Sequence, residues 1–216
     1  IQITTKSGRN SGEGIRFSLR QPVILSSMIL DFFATFFSSA NTLLPYVAQD
    51  ILKVGAVQYG WLAAAQSVGA VTVGVAMSQV SNLRRQGKLL LVAVVFFGLA
   101  TILFGVSRLF ALTFAALALV GAADSVSTIL RNTIRQLQTP DDLRGRMTSV
   151  NQIFFMGGPQ LGEIEAGAVA QVFGVPAAII SGGVGCIVAV VWIARRWPLL
   201  GRYNGDEPML AGATAD

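Results

Sequence analysis

Four acidic residues, Asp31, Asp124, Glu163 and Glu165, fall inside long apolar runs of this chain. An ionisable side chain at bilayer depth costs about 2.5–3.5 kcal/mol on insertion scales, so it faces a cavity or a partner and marks a candidate functional site. Asp31 belongs to a pattern. Ser27, Asp31, Thr35, Ser38 and Thr42 recur at spacings of four, four, three and four, which puts them on one helical stripe. The remaining residues of that run are almost all apolar, so the stripe faces water or protein and not lipid. Asp31 itself is read as a proton or cation site facing a central cavity. Its alternative is a buried hydrogen-bonded seam between helices.

A second stripe descends through Asp124, Thr128, Arg131 and Arg135. At 1.5 Å per residue, Arg131 lies about 10 Å beyond Asp124 along the helix. The two arginines are read as interfacial, with their stems snorkelling outward; an ion pair that fixes helix packing is the alternative. A third face carries Thr148, Gln152, Pro159 and Glu163, with Glu165 pointing to nearly the opposite side. Gly157-Gly158-Pro159 weakens that helix at mid-membrane, since proline removes a donor and glycine adds freedom. Such interruptions often lie beside substrate sites, although a simple kink fits equally well. The candidate proton and substrate pathway is therefore Asp31, Thr35, Ser38, Asp124, Arg131, Gln152 and Glu163.

Other chemistries find no support. The chain has no His, hence no histidine base, triad or His metal site. It has no phosphate loop for ATP, no nucleophile elbow and no metal-ligand cluster, so neither an enzyme, a cofactor nor a metal is expected. Its lone cysteine, Cys186, lies in an apolar run and reads as a small packing residue.

Six apolar stretches position these residues: roughly 22–47, 57–80, 88–107, 109–131, 147–173 and 175–197. Each has the ~20 residues that a helix needs to cross ~30 Å of hydrocarbon. In lipid they must be helices, because every backbone polar group has to be satisfied within its own segment. Charged residues make up 12% of the 216, about half the share of an ordinary soluble domain. Of the 16 Lys and Arg residues, all but Lys53 and Arg108 fall on one side of a six-span topology. The positive-inside rule makes that side cytoplasmic, and the net charge of +5 then needs no nucleic acid to explain it. Trp61, Trp192 and Trp197 lie near span ends, as interfacial aromatics do. Ahead of the fifth span, Thr139 reads as an N-cap with Pro140 at the first helical position and Asp142 behind it. Small residues at spacing four, in Gly158/Gly162/Ala166/Ala170, Ala70/Gly74/Ser78 and Ser181/Gly185/Ala189, read as close-packing faces.

The run from Arg131 to Ser149, RNTIRQLQTPDDLRGRMTS, and the later Gly162-Glu-Ile-Glu-Ala-Gly167 resemble the major facilitator superfamily, and within it the branch of enterobactin exporters and transmembrane secretion effectors. The resemblance covers about residues 16–200. It implies a twelve-helix fold of two six-helix bundles, of which this chain matches the second. Residues 1–20 then read as the end of a central cytoplasmic linker, 21–197 as the six-helix bundle and 198–216 as a disordered cytoplasmic tail; the chain reads as a fragment. One departure stands out. The family often places an acid in the second-to-third loop, whereas here Met77–Lys88 has Arg84, Arg85, Gly87 and Lys88 but no acid. A charge-relay latch in that loop is therefore in doubt.

The expectation is an all-α membrane protein, a proton-coupled exporter of siderophore- or drug-like small molecules in the cytoplasmic membrane, with both termini of the chain cytoplasmic. Its partners are the bilayer, a small-molecule substrate, protons and a first six-helix half. The alternative is a non-transporting membrane interaction or scaffold protein whose polar stripes are inter-helix seams.

Overall fold

The computed structural model describes residues 22–80, 83–139 and 144–205, which fold into helices with no strand among them. The first span starts as α1 (Pro22–Ser38), tightens into a 3-10 turn at Ser39–Leu43, passes one α turn at Leu44–Tyr46 and widens into a π segment at Val47–Ile51. Then follow α2 (Ala56–Ser78), α3 (Gln86–Val106), α4 (Phe110–Gln138), α5 (Arg144–Phe173), α6 (Val175–Arg196) and the short α7 (Pro198–Arg202).

Five of these segments are long and apolar enough to cross a membrane: Pro22–Ile51, α2, α3, α4 and α6. The sixth expected span, α5, has the length but not the apolarity. Asn151, Gln152, Gln160, Glu163, Glu165 and Gln171 dilute it, so α5 depends on neighbours to shelter its polar face. It also runs through Pro159 as one continuous helix. The interruption expected there falls instead on the facing first span, where Ser39 Oγ donates to the Pro159 carbonyl at 2.9 Å.

The main contacts join helices that are not sequence neighbours: α2 with α4, α3 with α6, and α1 with α5; α3 also packs along α4. One apolar cluster draws Leu30, Leu90, Phe97, Ile134 and Ile193 from α1, α3, α4 and α6. A second, at the opposite end, draws Leu62, Phe104, Leu117 and Ile179 together beneath Leu44 and Val47. Small residues let these backbones approach. A Cβ on Gly98 would sit 2.8 Å from the Gly183 carbonyl, and Gly183 closes reciprocally on Gly98. Gly158 and Gly162 lie against Thr35 and Phe36 of α1, and Gly185 against the Phe37 ring. Two of the three small-residue stripes thus pack as expected. The third does not: a Cβ on Gly74 meets nothing within 4 Å, and α2 instead packs through Leu62, Ala65 and Gly69.

Three further expectations need correction. α4 extends to Gln138, about two turns past the anticipated end at 131. Thr139 caps backwards, its hydroxyl donating to the Arg135 carbonyl at 2.7 Å, while Pro140 and Asp142 lie outside the described residues, as do residues 1–20, where a linker was expected. The tail is not disordered from 198. Pro198–Arg202 is helical, Leu200 and Tyr203 are buried, and Gly87 N–H donates to the Tyr203 carbonyl at 3.1 Å. Two apolar side chains and this hydrogen bond hold the segment on the start of α3. Cys186 is buried as expected.

The same substitution should act with opposite sign at two glycines. Gly121 abuts the Gln66 backbone of α2, so Gly121→Ala should destabilise by about 1–3 kcal/mol through overpacking. Gly74→Ala, in open space, should be neutral or stabilising by up to about 1 kcal/mol from helix propensity. Thermal unfolding in detergent measures both.

Candidate functional site

The arginines of α4 reach back into the membrane. Side chains on a helix tilt toward its N-terminus, so Arg131 and Arg135 point away from the helix end at which they were expected to snorkel. Both are buried, with Arg131 2% exposed. Between them sits Asp31 of α1, also 2% exposed. Its Oδ1 lies 3.0 Å from Arg131 Nη1 and its Oδ2 3.0 Å from Arg135 Nη1, so one carboxylate bridges two guanidinium groups. Arg135 is tied further, by donating to Asn132 Oδ1 at 2.8 Å, to the Arg131 carbonyl at 3.2 Å and to Asn151 of α5. Arg131 Nη2 donates to Thr128 Oγ1 at 3.0 Å and lies 3.8 Å from Asp124 Oδ1.

These four charged groups, two acidic and two basic, sum to zero. Asp124 is the exception in exposure, with its side chain 53% accessible. It opens onto a cavity of about 290 Å³ between α1, α4 and α5. Of the sequence-predicted residues, Thr35, Ser38, Asp124, Arg131 and Glu163 line that cavity. Two do not: Asp31 is buried behind Arg131 instead of facing the cavity, and Gln152 is exposed elsewhere on α5. Glu165, two residues from Glu163, is turned aside as its spacing requires.

Most hydroxyls of the first stripe turn onto their own helix. Ser27 donates to the Ile24 carbonyl at 2.8 Å and Thr35 to that of Asp31 at 2.8 Å. Ser39, left out of the stripe although it stands four residues after Thr35, also lines the cavity, at the start of the 3-10 turn. Asn132 and Asn151 were also unforeseen. Asn132 stands three residues before Arg135, a spacing that could have suggested it; Asn151 is brought in by tertiary packing alone. Thr42, Thr128, Phe155 and Pro159 complete the wall, giving it acids, hydroxyls, one arginine edge and one aromatic face. Arg131 Nε has no hydrogen-bond partner among the described residues. No group of His, Cys, Asp and Glu able to hold a metal occurs among them either.

Residues 7–202 match the protein family described as transmembrane secretion effector. Over 200 residues the chain is 27% identical to the enterobactin exporter EntS of Escherichia coli strain SMS-3-5 / SECEC, and equally to the proteins of that name from E. coli O157:H7 strain EC4115 / EHEC and Escherichia fergusonii strain ATCC 35469. The match covers 93% of this chain and 48% of each relative. The chain therefore spans about half the length of the curated relatives it matches.

Removing one member of a buried ion cluster leaves its partners uncompensated and costs about 3–5 kcal/mol. Asp31→Asn should therefore lower the unfolding midpoint sharply, whereas Asp124→Asn, at a half-exposed position, should cost about 1 kcal/mol or less. Denaturation of the two variants side by side checks the contrast.

Proposed function

We propose, from the premise that the chain belongs to the transmembrane secretion effector family of the major facilitator superfamily, that it is the second six-helix half of a proton-coupled exporter of small molecules. The observation that carries this reading is the cavity whose wall holds two carboxylates, Asp124 and Glu163, beside an arginine already balanced by Asp31. A half bundle offers one wall of a site, and the polar face of α5 gains its shelter when a first six-helix half closes over it.

Asp124 is the proton-exchanging group of this proposal. It is open to the cavity and only loosely held by Arg131, while Asp31 is held twice and sealed. A substrate rich in hydrogen-bond donors, or a cationic amphiphile, competes with protons for Asp124 and Glu163. Proton entry then releases the substrate, which is the logic of an antiporter. The enterobactin named in the relatives' description fits the siderophore part of that range, and Phe155 offers a flat apolar surface to an aromatic ring. Energy comes from the proton gradient. In this reading the chain lies in the cytoplasmic membrane with both its ends in the cytoplasm. Arg131 and Arg135, being buried, leave the interfacial set of basic residues, yet only Lys53 and Arg108 stand on the other side.

In vesicles containing the complete protein, Asp124→Asn should leave folding intact and abolish the response of transport to an imposed pH gradient, and Glu163→Gln should weaken it. An unchanged pH response in both variants would sink the proton pathway. A complete protein that moves no siderophore or amphiphile under any gradient would favour the scaffold reading.

Orientation has its own test. Gly87 cannot carry a label, because its Cβ would fall on the Leu200 carbonyl; exposed Lys88 and Gly55 can. Cysteine placed at 88 should react from the cytoplasmic side and cysteine at 55 from the opposite side, and the reverse pattern inverts the topology.

A further inference from the structure

A groove of about 500 Å³ runs along the outside of the bundle where α2, α3 and α4 meet. Its floor is made of small residues, Ala93 and Ala100 of α3 with Ala122 and Ala123 of α4, which are too short to fill the crease between the helices. Its rim includes Val92, Phe96 and Leu99, each about half exposed or more. Every lining residue is apolar.

The α3 face of this groove continues directly into a basic cluster. Arg85, Lys88, Leu89, Val92, Phe96, Leu99 and Leu103 succeed one another at spacings of one, three and four, so they share one face of the helix. Arg84, Arg85 and Lys88 are exposed, and among the described residues none of them pairs with an acid. The connection Gln79–Lys88 contains no Asp or Glu. Arg85 also holds a left-handed backbone, φ 60°, which a non-glycine residue rarely adopts, at the point where the chain turns into α3. From Leu89 to Leu103 the apolar strip is about 21 Å long at 1.5 Å per residue. One leaflet of a ~30 Å hydrocarbon core is about 15 Å thick.

We propose that this groove is a phospholipid site: an acyl chain lies along α3 between α2 and α4, and an anionic headgroup rests on Arg84, Arg85 and Lys88. Charge complementarity selects the occupant. A crease that only needed oil would accept any lipid tail, but three unpaired cations at one end of it call for a phosphate-bearing headgroup of net negative charge. The lipid also fills the seam beside α2, whose main packing partner is α4, so it acts as a wedge that steadies the outermost helix of the bundle.

The test uses the chain purified in mild detergent and offered an equimolar mixture of phosphatidylglycerol and phosphatidylcholine of matched acyl length, with retained lipid counted by native mass spectrometry. Phosphatidylglycerol should be retained preferentially, and each of Arg84→Gln, Arg85→Gln and Lys88→Gln should lower that preference about fivefold. Ala122→Phe, which fills the groove, should lower retention of both lipids. Soluble glycerol phosphate, with the charge but not the chain, should fail to displace the bound lipid. Equal retention of the two lipids by the unaltered chain overturns the proposal without reference to any variant. So does displacement by glycerol phosphate, which reduces the site to a plain anion patch. A lipid-free chain that dimerises through this face, with the dimer lost in Ala122→Phe, assigns the groove to a protein partner and overturns it too.

Discussion

Everything about this bundle's polar interior depends on one carboxylate held between two guanidinium groups. An ion in a low-dielectric medium is tolerable only when paired and hydrogen-bonded. Asp31 meets that condition with one oxygen in an ion pair to Arg131 and the other accepting a hydrogen bond from Arg135. The arginines in turn draw in Asn132, Asn151 and Thr128. Through these bonds α1, α4 and α5 are fixed in register by charge, where apolar packing alone would leave them free to slide in lipid. Asp124 balances the second positive charge from the cavity side, which leaves the cluster neutral only while that exposed acid is ionised.

Much of this was legible in the sequence, and the parts that were not share a cause. Helix positions follow from apolar run length, so α2, α3 and α6 fall within a few residues of expectation. Spacing along one helix also predicted that Asp124, Thr128 and Arg131 share a face and that Glu163 and Glu165 diverge. What spacing could not supply was the partner across the bundle. Asp31 looked like the open proton site because its own helix offers no cation, yet the cations stand on α4. The backward tilt of helical side chains turned Arg131 and Arg135 from interfacial anchors into buried counter-ions. Asn151 joins the network from a helix whose sequence gives no sign of it.

The cavity shows a division of labour between regular and irregular backbone. α5 carries the proline yet stays helical, while the first span has no proline between Pro22 and Pro45 and still tightens at Ser39–Leu43. The close seat of Gly158 and Gly162 against Thr35 and Phe36 explains the pairing: the two backbones nearly touch, and Ser39 turns to meet the Pro159 carbonyl. The distortion faces the cavity, where irregular backbone is tolerated at membrane depth.

The non-sequential pairing of helices has a consequence for biosynthesis. The chain is made from its N-terminus, so Asp31 enters the membrane about a hundred residues before Arg131 leaves the ribosome. At roughly 5–20 residues per second, that is an interval of about 5–20 seconds in which the carboxylate has no arginine. Its insertion penalty of about 2.5–3.5 kcal/mol is set against the apolar residues of its own span, which is why a helix bearing a future ion pair is otherwise so oily. α1 therefore waits in the bilayer, α4 arrives with the counter-charges, and α5 seals them. The ion cluster is complete only once helices distant in sequence have met.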